Sequence, residues 1–259
     1  MSESIYIKSP REIEFMRQAG RVTAGARSIA RQAIRDGVTT RQIDKLIHDY
    51  IVKEGAVPTF HGYDGFPGNA CISVNDELIH GIPGRRTVKR GDIVSVDVGA
   101  TLKGFVGDCA GTYPCGKISE EARKLIEVTR QSFFEGIKFA KVGYRISDIG
   151  AAIQDYVESH GFSVCRDFVG HGVGREMHEA PEVPNYRPDR KLGQTGNPRL
   201  RKGMTIAVEP MVIAGSWEVE VLENDWTVVS QDGTLTAHYE NTIAITDGEP
   251  EILTMADDI

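Results

Sequence analysis

A chain of 259 residues suffices for one large domain or two small ones, and 40% hydrophobic with 26% charged residues is ordinary for a globular protein. A formal charge of −7 argues against a broad nucleic-acid surface, and no run of about 18 apolar residues offers a membrane span. The N-terminus lacks a signal peptide's apolar core and Cys71, Cys109, Cys115 and Cys165 form no Cys-x-x-Cys pair, so a soluble cytoplasmic protein with free thiols is expected.

Ser9-Pro10-Arg11-Glu12 is a capping box with proline at the first helical position. It predicts a helix to about Arg35, ending at Asp36-Gly37, with Ile13, Met16, Val22, Ile29 and Ala33 on the apolar face. A second helix starts near Thr39 or Thr40, where Gln42 can complete another box, and stops at Gly55. Ile93–Val98 alternates as a strand, and Phe105–Tyr113 follows across a Lys103-Gly104 hairpin turn. Ser119-Glu120-Glu121 opens a helix reaching about Lys141, with acids in its first turn to suit the dipole. Ser147 opens another that Gly161 stops. The stretch Pro181–Arg201 reads as an exposed loop, whereas Thr205–Val208, Trp217–Leu222, Trp226–Val229 and Asn241–Ile245 read as strands.

Sliding the chain by 106 residues places Gly37 on Gly143, Ile43 on Ile149, Ile47 on Ile153, Asp49 on Asp155, Tyr50 on Tyr156 and Gly55 on Gly161. These matches suggest one domain over residues 1–259 built of two like halves, about 10–113 and 119–250.

Five residues sit in settings that packing does not explain. Asp97 interrupts the apolar run Ile93–Val98, and Asp108 lies in Gly-Asp-Cys-Ala-Gly. His171 is flanked by Gly170, Gly172 and Gly174; Glu209 ends Thr-Ile-Ala-Val; Glu240 precedes Asn-Thr-Ile-Ala-Ile. Each alone has a bland explanation: a hydrogen-bonded core aspartate, a turn aspartate, a structural glutamate or histidine. Together, four acids and an imidazole gathered in one fold would repel one another unless cations joined them. The glycine run around His171 is no dinucleotide loop, because Pro181 and Pro184 break the helix such a loop needs. His171 and His178 are also too far apart for His-Glu-x-x-His. A carboxylate-rich set with one imidazole suits Mn, Fe(II), Co or Zn, and two such ions favour hydrolysis of an amide or ester. His80 and His178 are further polar candidates whose interest depends on that site.

The segments His80-Gly81-Ile82-Pro83, Val96-Asp97-Val98-Gly99, Gly107-Asp108, Gly170-His171-Gly172-Val173-Gly174-Arg175, His178-Glu179, Val208-Glu209-Pro210-Met211 and Tyr239-Glu240-Asn241-Thr242 occur in this order. With them the chain resembles the type I methionine aminopeptidases of the short bacterial kind over essentially its whole length. The resemblance implies an α/β (α+β) pita-bread fold: two pseudo-symmetric halves, with an antiparallel sheet covered by helices on the outside. It implies two divalent cations (Co, Mn, Fe(II) or Zn) on Asp97, Asp108, His171, Glu209 and Glu240, with Asp108 and Glu240 bridging. A metal-bridging water or hydroxide would attack the carbonyl of an N-terminal methionine, with Glu209 as general base. His178 would stabilise the oxyanion, and His80 would meet the scissile amide or the second residue. Phe60, Tyr63, Phe66, Cys71, Met177 and Trp226 would form the methionine slot, together with His80 and His178. Nascent polypeptide N-termini with a small second residue would be the substrates of a monomer. The chain departs from the commoner pattern at Met177, where phenylalanine is usual, at Phe60, where a smaller residue is usual, and at His238, where glutamine is frequent.

Two rival readings share the fold. An Xaa-Pro peptidase usually carries a further N-terminal domain, for which a first helix near Pro10 leaves no room. A non-catalytic binding protein usually loses ligands, and here all five remain.

Overall fold

Four helices form where the sequence places them, and their caps show which signals are local. The computed structural model describes residues 4–188 and 197–255. Helix α1 (Pro10–Ala33) opens on the Ser9/Glu12 box, the Ser9 backbone N–H donating to the Glu12 carboxylate at 2.9 Å. Helix α2 (Thr40–Lys53) opens on the matching Thr39/Gln42 box. Helix α3 (Glu120–Ile137) starts at Ser119, whose hydroxyl accepts from the Ala122 N–H. It stops short of Lys141 because the chain tightens: the N–H groups of Phe139 and Ala140 donate to carbonyls only three residues back. Similarly, α1 ends before Arg35, where Ile34 turns extended. Helix α4 (Ile146–Ser159) begins one residue before the expected Ser147. Its cap is shared between Asp148, which accepts from the Arg145 N–H, and Asn197, whose side chain accepts from the Ser147 N–H at 3.0 Å. Asn197 lies 50 residues further on, beyond any local pattern.

Helices α2 and α4 each span 14 residues. The glycines before and after them repeat their conformation: Gly37 and Gly143 have φ 87° and 96°, Gly55 and Gly161 φ 75° and 85°.

The strands of the first half are β1 (Val57–Pro58), β2 (Cys71–Val74), β3 (Glu77–Ile79), β4 (Ile93–Leu102) and β5 (Phe105–Pro114). Those of the second are β6 (Ser163–Val164), β7 (Gly170–Gly172), β8 (Glu179–Val183), β9 (Thr205–Val208), β10 (Met211–Ile213), β11 (Val219–Val221), β12 (Val228–Ser230), β13 (Thr236–His238), β14 (Glu240–Ala244) and β15 (Glu251–Ile252). Among the described residues the main sheet runs β1-β4-β5-β14-β9-β7-β8, with β2 added to β4 and β15 to β14. Its pairings are antiparallel. Two small sheets, β13-β10-β6 and β11-β12-β3, complete the fold.

The β4–β5 hairpin turns at Lys103 (φ 54°) and Gly104 (φ 75°), the pair of positive φ angles that a type I′ turn needs. Strand β12 starts at Val228 rather than Trp226, because Asn224 caps a turn by accepting from the Trp226 and Thr227 N–H groups. Strand β11 is likewise shorter than Trp217–Leu222. The expected loop from Pro181 begins instead as the end of β8, held by pairing with β7; its residues 189–196 lie outside the described residues.

Alternation along β4 sends Val94, Val96 and Val98 into the core with Val22, Ala26, Ile43 and Ile47 of α1 and α2. Ser95 and Asp97 therefore face the other way. A Cβ on Gly107 would meet the Gly20 backbone at 2.8 Å, so α1 lies directly on β5 and Asp108 points to the opposite face. On the second half, Leu125 and Phe133 of α3 and Ile149 and Ile153 of α4 pack with Ile206 and Val208. The helix-free face is left for chemistry.

Candidate metal centre

The halves meet where β5 pairs with β14, and register does the gathering. Asp97 on β4 and Glu240 on β14 both lie opposite Ala110 of β5. The small Ala110 leaves room between them, and Asp108, two residues away, shares that face. Pairing of Asn241 with Val208 brings Glu209, just past β9, alongside Glu240. His171 lies on β7, joined to β9 at Gly172–Ile206. Five side chains thus come from five consecutive strands of the sheet, β4-β5-β14-β9-β7.

His171 Nε2 is 3.5 Å from Asp108 Oδ2 and 3.7 Å from Glu209 Oε1. Its Nδ1 is 2.8 Å from the Gly172 carbonyl, an acceptor, so the proton sits on Nδ1 and the Nε2 lone pair faces the acids. Candidate donor atoms fall into two groups, each within 4.8 Å: Asp108, His171 and Glu240 in one, Asp97, His238 and Glu240 in the other. Glu240 belongs to both.

Burial, then Asp108 and Glu209, hold the Asp97 carboxyl well above the usual carboxylate range. Burial, then Asp108, Glu209 and Asp97, do the same to Glu240. For His171 burial opposes the charge, but Asp108 and Glu209 outweigh it and raise its pKa. Asp97 Oδ1, Asp108 Oδ1, Glu240 Oε1 and His238 Nε2 are buried with no hydrogen-bond partner. Oxygen-rich donors with imidazole, unpartnered and crowded with negative charge, fit divalent cations, which would remove the repulsion that raises these pKa values.

A cavity of about 290 Å³ opens beside the acids. Phe60, Tyr63, Phe66, Cys71, Met177 and Trp226, the positions expected for a methionine slot, all line it, as do His80 and His178. Phe66 meets Trp226 edge-on at 5.0 Å. His80, at φ 57°, stands edge-on to Phe168 and Trp226. His178 meets His171 edge-on at 4.3 Å, and its Nδ1 lies 2.6 Å from the Tyr63 hydroxyl. Burial, reinforced by a neighbouring imidazole, lowers the pKa of both His80 and His178 to about 4. Both rings are neutral at neutral pH.

Three features escaped the sequence reading. His238 is buried with Nε2 3.7 Å from Glu209 and 3.8 Å from Glu240. The sequence shows it only as a departure from the commoner pattern, although His-Tyr-Glu puts it one side-chain repeat from Glu240. Phe168, three residues before His171, lines the cavity. Lys8 forms a buried ion pair with Glu179, which also accepts from the Arg175 and Glu176 N–H groups and so braces the loop carrying Met177 and His178.

Residues 14–247 match the sequence model of metallopeptidase family M24. A methionine aminopeptidase of Clostridium acetobutylicum is 53% identical over 255 residues, covering 98% of this chain and 100% of the relative. Methionine aminopeptidase 1 of Bacillus subtilis is 50% identical over 96% of this chain and 99% of its own. The crystal structure of a methionine aminopeptidase from Thermotoga maritima superposes with a TM-score of 0.93 at 46% identity, covering 98% of this chain and 100% of that one. The chain belongs to metallopeptidase family M24, a metal-dependent class of hydrolases with the pita-bread fold. Within that family it stands with the methionine aminopeptidases. Among the described residues no helix is long and apolar enough to cross a membrane.

Proposed function

We propose that this chain removes the N-terminal methionine from nascent proteins with a small second residue, as a single catalytic unit over residues 1–259. The observation that carries the reading is the convergence of Asp97, Asp108, His171, Glu209 and Glu240 beside a slot walled by aromatic rings and sulfur. Those five would hold two divalent cations, Co, Mn, Fe(II) or Zn. Such ions supply Lewis acidity toward a carbonyl and lower the pKa of water.

The remaining work falls to the protein. Polarisable, adaptable walls at Met177, Cys71, Phe66 and Trp226 suit a thioether side chain. The carboxylates that line the cavity attract the free α-amine of the substrate, which would make the reaction an exopeptidase one. Glu209, at the cavity edge, accepts the proton of the attacking water and delivers it to the leaving amine. Neutral His178 donates to the developing oxyanion. His80 contacts the scissile amide nitrogen or the second residue. His80 and Phe168, which line the cavity and meet edge-on, would bound the space for the second residue. The enzyme would act as a cytoplasmic monomer on emerging N-termini, with no nucleic-acid or membrane partner.

A panel of Met-Ala-x and x-Pro peptides tests this. Release of methionine from the first set alone is expected; cleavage of the x-Pro set alone would reverse the assignment toward an Xaa-Pro peptidase.

A further inference from the structure

The two groups of candidate donor atoms are alike. Each holds one imidazole nitrogen, and Glu240 belongs to both: Asp108 and His171 complete one group, Asp97 and His238 the other. The five ligands that the sequence points to leave the second group without a nitrogen, because His238 is not among them.

His238 is held as a ligand would be. It lies on β13 opposite Met211 of β10. Its backbone N–H donates to the Thr112 hydroxyl at 2.9 Å, and that hydroxyl donates to the His238 carbonyl at 2.9 Å. Thr112 belongs to β5, the strand that carries Asp108, so the histidine backbone is pinned to the sheet that builds the centre. The side chain is 1% exposed, and Nε2 is buried with no hydrogen-bond partner.

Distance separates two roles for that nitrogen. It is 3.7 Å from Glu209 Oε2 and 3.8 Å from Glu240 Oε2. A ring N–H donating to a carboxylate would stand about 2.7–3.2 Å away. Two atoms that each bind one first-row cation at about 2.0–2.2 Å stand roughly 3–4 Å apart instead. His171 supplies the standard within the same site, with Nε2 3.5 Å from Asp108 Oδ2 and 3.7 Å from Glu209 Oε1. The two imidazoles flank Glu209, one nitrogen at each carboxylate oxygen, both at 3.7 Å.

We propose that His238 Nε2 is a sixth metal ligand, acting with Asp97 and Glu240, so that each of the two cations meets one imidazole. The proposal rests on the dinuclear reading above and adds a residue to it. Its consequence is metal selectivity. Imidazole suits Zn and Fe(II), whereas carboxylate and water suit Mn. A second nitrogen biases the centre away from Mn.

Proton NMR of the Co(II)-loaded protein tests this, because an imidazole bound to Co(II) shows a strongly shifted, exchangeable N–H signal. Two such signals are expected in the wild type and one in His238→Gln, with far-ultraviolet circular dichroism unchanged. The variant should also lose affinity for Zn(II) at one site by about tenfold or more, and lose less for Mn(II). Crystals of the Zn-loaded wild type give an answer that needs no variant: an ion should lie about 2.0–2.2 Å from His238 Nε2. A His238→Gln protein with the wild-type number of shifted signals overturns the proposal. So does a crystal in which both ions lie beyond bonding distance of Nε2 while Asp97, Asp108, His171, Glu209 and Glu240 hold them. A wild type that binds no ion would overturn the dinuclear reading, and this proposal with it.

Discussion

The Tyr63 hydroxyl lies 2.6 Å from His178 Nδ1, while the opposite edge of that imidazole faces the cavity and the ring of His171. With the His178 pKa lowered to about 4, the ring carries one proton at neutral pH. With the tyrosine hydroxyl as donor to Nδ1, the ring proton sits on Nε2, where a donor to a substrate oxygen is needed.

His178→Ala should lower kcat by about 10²–10³-fold, the scale of a lost oxyanion donor. Tyr63→Phe, which keeps the ring but frees the tautomer, should lower kcat by about tenfold with KM little changed. Circular dichroism should show both variants folded. Steady-state kinetics giving an unchanged rate for His178→Ala would remove that residue from the mechanism.

The acids set how stability depends on pH. Asp97 and Glu240 have folded pKa values raised above their ordinary 3.8 and 4.5. Above those ordinary values the unfolded chain releases protons that the metal-free fold retains. Stability of the metal-free protein therefore falls as pH rises from about 4 toward the raised values. Cations reverse the trend, since they bind the deprotonated forms. His80 and His178, whose pKa values are lowered to about 4, act the other way on the metal-free fold, so the test is a difference: the rise in thermal midpoint on metal loading should be larger at pH 7.5 than at pH 5. An equal or smaller rise at pH 7.5 would contradict this.

Asp108 is 2% exposed and its Oδ1 has no hydrogen-bond partner, a place that a bound cation would fill. Asp108→Asn should abolish turnover and lower the number of metal ions bound per chain, measured by elemental analysis. Full activity with added Mn or Co would exclude a bridging role.

Lys8 and Glu179 are paired at 5% and 6% side-chain exposure. Lys8→Ala leaves the Glu179 charge buried, held only by two backbone N–H groups, and should cost about 3 kcal/mol in urea unfolding. Adding Glu179→Gln should recover part of that loss, because no unpaired charge then remains. A Lys8→Ala protein as stable as wild type would show that the pair contributes nothing.

How much of this was legible in the sequence follows the range of each interaction. Ser9/Glu12, Thr39/Gln42 and the Lys103-Gly104 turn act within four residues, so helix starts and the hairpin could be read directly. The start of α4 could not, because Asn197 supplies part of its cap from 50 residues away. Asp97, Asp108, Glu209 and Glu240 stood out because each is an acid where an apolar strand has no use for one. His238 did not, since one histidine beside Tyr239 looks like core, and it is the β13–β10 pairing, which sets it opposite Met211, that brings it near Glu209. The Tyr63–His178 bond joins residues 115 apart and left no local trace.

Anomalous scattering from crystals of the metal-loaded protein most directly tests whether five adjacent strands build one dinuclear centre. Two peaks are expected among Asp97, Asp108, His171, Glu209 and Glu240, within bonding distance of their oxygens and of His171 Nε2. A map with no peak among these side chains, or with its only peaks elsewhere, would contradict it.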